Sequence, residues 1–194
     1  MYPFAPTYSI VKFNLAHKPE STRQKMDILD FLPHIIALCG VITLATLSII
    51  DLRVWLLLDW LNLTLGILGI AFHASTNFTI FEPAQLLYGS FLGAGTLLTI
   101  RFFGNMYYKQ DTLGLGDVKL LGAAGLWLGM EGVVMSMTIG AFAVMSHGIG
   151  FALTRAIKEK SKPDFHRLMI PAGPGFCVGI LISCVWKFYP YLTN

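Results

Sequence analysis

Two aspartates stand where few acids are expected. Asp117 closes the run Gly114-Leu115-Gly116-Asp117, which is followed at once by Val118 and Lys119. Asp51 ends the first long apolar stretch, in Ile50-Asp51-Leu52-Arg53. An ionised carboxylate is poorly solvated at the mouth of a membrane helix, so a chain keeps one there for a task or a partner. Paired carboxylates can share a single proton, one acting as base on a water and the other as acid. That is the hydrolytic chemistry of an aspartyl protease, here set at the edge of a bilayer. Each acid also has a plainer reading. Asp117 can cap the next helix beside Lys119, and Asp51 can pair with Arg53 at a loop start.

The surrounding residues suit either task. Gly114 and Gly116 lack Cβ, which predicts a tight or left-handed turn and close backbone approach before Asp117. At the start of a helix, the dipole and the low dielectric act in opposite senses on the aspartate's proton. Asp59 is a rival for the first acid and is taken as a supporting residue. Lys119 either tunes the acids or snorkels to the interface. Pro171, Gly173 and Pro174 either shape a substrate groove or simply open the last helix. His147 has no second His or Cys at ligand spacing, so neither a metal nor another cofactor is expected. Cys39, Cys177 and Cys184 lie in apolar runs without a C-x-x-C pair and read as small buried side chains.

The elements that must position these residues are membrane helices. Apolar residues make up 55% of the chain and charged ones 13%, against roughly 25% charged in soluble domains. Mean hydropathy is +0.63. The net charge of +3 is too mild to argue for nucleic acid, and no basic n-region marks a cleavable signal peptide. The chain reads as all-α, a bundle of about six transmembrane helices over residues 31–190 behind a polar tail, residues 1–30. The apolar stretches are 31–50, 54–72, 83–100, 118–130, 132–154 and 168–186. The second spans from beyond Asp59, and Gly89 and Gly93 in the third allow close helix packing.

Six spans place the loops after the first, third and fifth on one side. Those loops carry Arg53, Arg101, Lys109, Arg155, Lys158, Lys160, Lys162 and Arg167, while the opposite loops between spans carry no Lys or Arg. The positive-inside rule makes the basic side cytoplasmic, and both Asp51 and Asp117 fall on it. The tail does not fit, because Lys12, Lys18, Arg23 and Lys25 land on the other side. Either the tail lies in the interface as an amphipathic segment or the span count is off by one.

Taken in order, these motifs resemble the type IV prepilin peptidase family, one of the G-x-G-D membrane aspartyl proteases. Asp51 with the later Asp59-Trp60-Leu61-Asn62 is similar to the family's D-x-x-x-x-x-x-P-D/N block. Gly114 to Lys119 is similar to G-x-G-D-x-K, and a glycine-rich helix follows. Ile170-Pro171-Ala172-Gly173-Pro174 is similar to I-P-F-G-P. The resemblance implies that Asp51 and Asp117 are the catalytic pair of an inner-membrane enzyme. Its partners would be the bilayer and a prepilin or pseudopilin precursor, cut after a short basic leader at the cytoplasmic face. Two departures stand out. Leu58 occupies the usual proline position, and the paired C-x-x-C insertion linked to N-methylation has no counterpart, as in the short, peptidase-only kind. The reading from another class is a small transporter or scaffold whose acids bind cations or pair structurally, which expects those acids near mid-membrane.

The charge asymmetry of the loops is directly testable. A reporter fused near Lys160 is expected to register the cytoplasm and one at Ser75 the opposite side; reversed labels would contradict the topology.

Overall fold

Five helices make up the described part of the chain in a computed structural model, which describes residues 20–159 and 171–192. They are α1 Glu20–Val54, α2 Asp59–Ser75, α3 Pro83–Tyr108, α4 Leu115–Glu159 and α5 Gly173–Leu192, with no strand among the described residues. Local chemistry sets several boundaries. Pro83 opens α3 in the first turn, where its missing N–H costs nothing. Lys109 ends that helix in the left-handed region at φ 52°, its N–H donating to the Asn105 carbonyl.

The long α4 is two limbs. Gly129 breaks the helical backbone at φ 63°, ψ −168°, a conformation that favours glycine. Contacts with α3 show the chain doubling back there. Gly89 lies against Gly125 and Gly129 at the bend, whereas Gly93 lies against Leu121 on one limb and Val133 on the other. Further packing gives the remaining directions. Gly66 and Gly69 of α2 meet Ala123 and Trp127, and Gly140 of the second limb meets Phe176 of α5. Six helical segments therefore run alternately between two ends of one bundle.

The two ends differ in character. One gathers Asp51, Leu57, Gly116 and Gly173. The other gathers an aromatic cluster: Phe72 stacks on Trp127 at 5.4 Å and meets Phe188 at 5.2 Å. The break at Gly129 leaves the Trp127 carbonyl near the end of its limb, and fully buried His73 answers it through Nε2 at 3.0 Å. A carbonyl only accepts, so this contact selects the Nε2–H tautomer. Glu131, just past the bend, pairs with Lys187 of α5 at 2.6 Å.

Much of the outer surface is apolar, including Ile42, Ile67, Phe91, Phe142 and Val178, as a bilayer requires. The stretches Phe31–Val54, Pro83–Tyr108 and Leu115–Thr154 are each long and apolar enough to cross a membrane, and Gly173–Tyr189 is a shorter apolar helix. The 40-residue stretch in α4 contains both the fourth and fifth expected spans. Exposed Trp55, Trp60, Tyr107 and Tyr108 mark one end and Trp186 and Tyr189 the other, the places such rings take at membrane interfaces.

Several boundaries differ from expectation. The first helix begins at Glu20 rather than at residue 31, so part of the polar tail is helical and continuous with the span; residues 1–19 lie outside the described residues. The second starts at Asp59 after a non-helical linker, and α4 starts at Leu115, inside the Gly-x-Gly-Asp run. The last begins at Gly173, once Pro171 has been passed. Lys160, Lys162, Asp164 and Arg167 of the basic loop lie outside the described residues.

Lipid supplies little apolar driving force between helices, so close van der Waals fit must hold them together. A Cβ on Gly125 would run into the Gly89 and Ser90 backbone, while one on Gly95 meets nothing within 4 Å. Gly125→Ala is therefore expected to destabilise the protein by about 1–3 kcal/mol. Gly95→Ala should be neutral or stabilising by up to about 1 kcal/mol. Thermal unfolding in detergent micelles, followed by circular dichroism, checks both.

Candidate active site

The two aspartates meet at the end of the bundle opposite the aromatic cluster. Asp51, 4% exposed in the last turn of α1, accepts through Oδ2 the backbone N–H of Gly173 at 3.1 Å. Gly173 is the first residue of α5, so this N–H is one that the helix itself leaves unpaired. Asp117 is 5% exposed and lies in the first turn of α4. The carboxylates are close enough to act on each other electrostatically, and both act on the buried thiol of Cys177. Helices α1, α4 and α5 thus bring the two acids into one buried site.

The glycines work here by absence of bulk. Among the described residues the glycine with positive φ is Gly129, so Gly114 and Gly116 are not left-handed, contrary to expectation. Helix α4 has already begun at Leu115, and Gly116 belongs to its first turn. A Cβ on Gly116 would fall 2.6 Å from Leu57 Cβ. One on Gly114 would fall 3.1 Å from Asp117 Oδ2, and one on Gly173 only 2.5 Å from Asp51 Oδ2. Each position needs a bare backbone because a functional side chain or the linker leucine lies against it.

Other expected residues fall outside this pocket. Lys119 turns away from the acids and pairs with Asp59 at 2.6 Å, with side chains 46% and 70% exposed. Such an exposed pair ties α2 to α4 weakly. Of the expected groove residues, Gly173 reaches the acids, while Pro171 and Pro174 flank it half-buried. His147 is exposed on the second limb of α4.

Several contributors were not anticipated. Asn62, 3% exposed, donates through Nδ2 to the Gly116 carbonyl at 3.3 Å and so ties α2 to the start of α4. Arg101 donates to the Leu113 carbonyl and bonds Asp111 at 2.7 Å, while Asn105 receives the Thr112 N–H at 2.9 Å. This network fixes the loop that delivers Asp117. Cys177 follows Gly173 by one helical turn, a spacing that places both on one face. An amide inside an apolar helix was a readable signal for Asn62, whereas nothing in the sequence marked Leu57.

An all-α membrane bundle with two buried carboxylates at helix ends defines a narrow class. A model of the type IV leader peptidase family matches residues 38–149, and the chain belongs to that family. It is 32% identical over 138 residues to the prepilin leader peptidase/N-methyltransferase of Escherichia coli (strain K12), covering 71% of this chain and 57% of that protein. The similarly named protein of Aeromonas hydrophila is 32% identical over 158 residues, 78% of this chain and 50% of its own length. That of Legionella pneumophila is 32% identical over 153 residues, 77% and 49%. The chain thus spans about half the length of the curated relatives it matches. No solved structure matches it. With its apolar helices, family membership makes it a multi-pass membrane protein.

Leu58, at the position where the resemblance expects proline, has a backbone that proline could also adopt. Leu58 has φ −68° and ψ 124°, the φ that a proline ring imposes. Leu58→Pro is therefore expected to leave unfolding in detergent unchanged or to stabilise by up to about 1 kcal/mol. A marked loss of stability would mean that the linker takes another path.

Proposed function

We propose that this chain is a membrane aspartyl endopeptidase that removes the leader of type IV prepilin-like or pseudopilin precursors at the cytoplasmic face of the inner membrane. One observation carries the chemistry: Asp51 and Asp117, from separate helices, are both buried at one end of the bundle, where Leu57 lies against both Gly116, next to Asp117, and Gly173, whose N–H holds Asp51. A water between them is deprotonated by the ionised carboxylate as its oxygen attacks the scissile carbonyl carbon. The protonated partner donates to the carbonyl oxygen, giving a neutral tetrahedral diol. Collapse breaks the C–N bond: the carboxyl that took the proton from water gives it to the leaving nitrogen, and the other, now ionised, takes a proton back from a diol hydroxyl as the product carboxyl forms. Gly173 N–H orients Asp51, Gly114 and Gly116 admit Asp117, and the Lys119–Asp59 pair supports the cytoplasmic rim.

Family membership and the relatives' names support the substrate class. The basic loops support the side of the membrane. The competing transporter or scaffold reading calls for acids deep in the bundle, and both of these lie at helix ends.

Single Asp51→Asn and Asp117→Asn substitutions are expected to abolish precursor cleavage at unchanged membrane abundance, each nearly as completely as the double variant, since both act on one water. Asp59→Asn should retain most activity. Mass measurement of a co-expressed precursor reads the outcome. Full cleavage by all three variants rules out the aspartyl mechanism, and a dead Asp59→Asn beside an active Asp51→Asn moves the first acid to position 59.

A further inference from the structure

We infer that Leu57, in the linker between α1 and α2, is a positioning residue that sets the separation of the two carboxylates; this rests on the Asp51/Asp117 reading above. Leu57 touches the start of α4, which carries Asp117, and the start of α5, whose Gly173 N–H holds Asp51. Its Cβ lies 2.6 Å from where a Cβ on Gly116 would stand, and its Cδ1 lies 3.1 Å from the same point on Gly173. Gly116 is the residue before Asp117, and Gly173 N–H holds Asp51. Both faces are bare backbone, so the leucine side chain, beside the Asp51 carboxyl at Gly173, lies between the start of α4 and the start of α5.

The linker is built to hold that side chain inward. Leu56 and Leu58 on either side are exposed, while Leu57 is partly buried and packed on the core. Trp55 N–H donates to the Asp51 carbonyl at 3.0 Å, and the Leu58 carbonyl receives Leu61 and Asn62 N–H at 3.1 and 3.2 Å. Trp55 sits at φ 59°, an unfavourable value for a non-glycine residue that persists only where the surroundings over-determine it. Asn62, one turn into α2, clasps the Gly116 carbonyl. The linker therefore grips the first acid, the second acid's helix and the leucine between them. An apolar spacer also suits the task, because it offers the acids no competing hydrogen bond.

The test uses the full chain in phospholipid vesicles with a co-reconstituted prepilin precursor. Leu57→Ala is expected to lower kcat by about 10- to 100-fold, the scale of a misplacement near 1 Å, with KM within about threefold of the starting value. Leu57→Met, of similar volume, should stay within about threefold in kcat. A second readout needs no catalysis. In a Cys39→Ser/Cys184→Ser background, Cys177 lies buried beside both acids, and N-ethylmaleimide should label it faster once Leu57 is truncated. Unchanged kcat and unchanged labelling in Leu57→Ala overturn the inference. So does a Leu57→Met variant as slow as Leu57→Ala, or a loss confined to KM or to membrane abundance. Activity in Asp51→Asn and Asp117→Asn would instead remove the two-acid mechanism, while the labelling result still reports the spacing.

Discussion

Two carboxyl groups held side by side away from water repel each other and lack solvation, and that constraint organises one whole end of this bundle. Each group faces the N-terminal end of a helix, Asp117 from within it and Asp51 from the last turn of α1, where unpaired N–H groups and the positive end of the dipole face outward. Asp117 lies inside the first turn of α4, and Asp51 reaches across to the first N–H of α5. Among the described residues no lysine or arginine forms an ion pair with either acid. Lys119 is engaged by Asp59, and Arg101 by Asp111 and the Leu113 carbonyl. A salt bridge would hold one carboxylate permanently ionised, whereas backbone dipoles leave a proton free to be shared. The site is thus partly stabilised, which general acid–base chemistry requires.

Such a site needs helices that hold their positions without much apolar driving force between them. The solution is close contact of bare backbone. Gly89 and Gly93 of α3 lie on Gly125, Gly129 and Leu121, Gly66 and Gly69 of α2 receive Ala123 and Trp127, and Gly179 of α5 meets Ser136. Most of these contacts fall on α4, which packs against α2, α3 and α5, while α1 packs on α2 and α5. The acid-bearing first limb is therefore the best-held segment, with Leu120, Leu121, Ala124 and Leu128 fully buried. Around it, α1 and the linker at residues 55–58 contribute the other half of the site from a less enclosed position, with Trp55, Leu56 and Leu58 exposed.

The helical class and both acids were legible because each rests on a strong local signal. Unbroken apolar runs specify helices in lipid, and an aspartate at the end of such a run stands out against them. Gly129 was readable only as one glycine among several in a short span, so the bend there followed from span counting rather than from chemistry. The glycines at 114 and 116 were singled out for tight or left-handed backbone and close approach; the close approach is what the structure shows, with Gly116 in the first turn of α4 and Gly114 just before it. What escaped notice depends on long-range packing. Leu57 is an unremarkable leucine until Gly116 and Gly173 arrive from distant parts of the chain. Lys119 follows the signature directly, yet its partner is Asp59 of α2, a choice that helix rotation makes and spacing does not show.

The end remote from the acids has its own logic. When α4 doubles back at Gly129, the last carbonyls of its first limb lose their helical partners, and inside an apolar bundle each would cost roughly 1–3 kcal/mol. His73 caps one of them at Trp127, and the Trp127 ring in turn donates to the Leu65 carbonyl at 2.8 Å. Phe72, Phe81 and Phe188 close around that pair, and Lys187 bonds Glu131 beyond it. This cluster joins α2, both limbs of α4 and α5 at one level. At the opposite ends of the same helices, the linker, the Asn62 amide, the Gly173 N–H, the Arg101–Asp111 loop network and the Lys119–Asp59 pair do the positioning. The polar and loop-built end can then be shaped by the needs of two carboxylates, because the fold does not rely on it to hold the helices together.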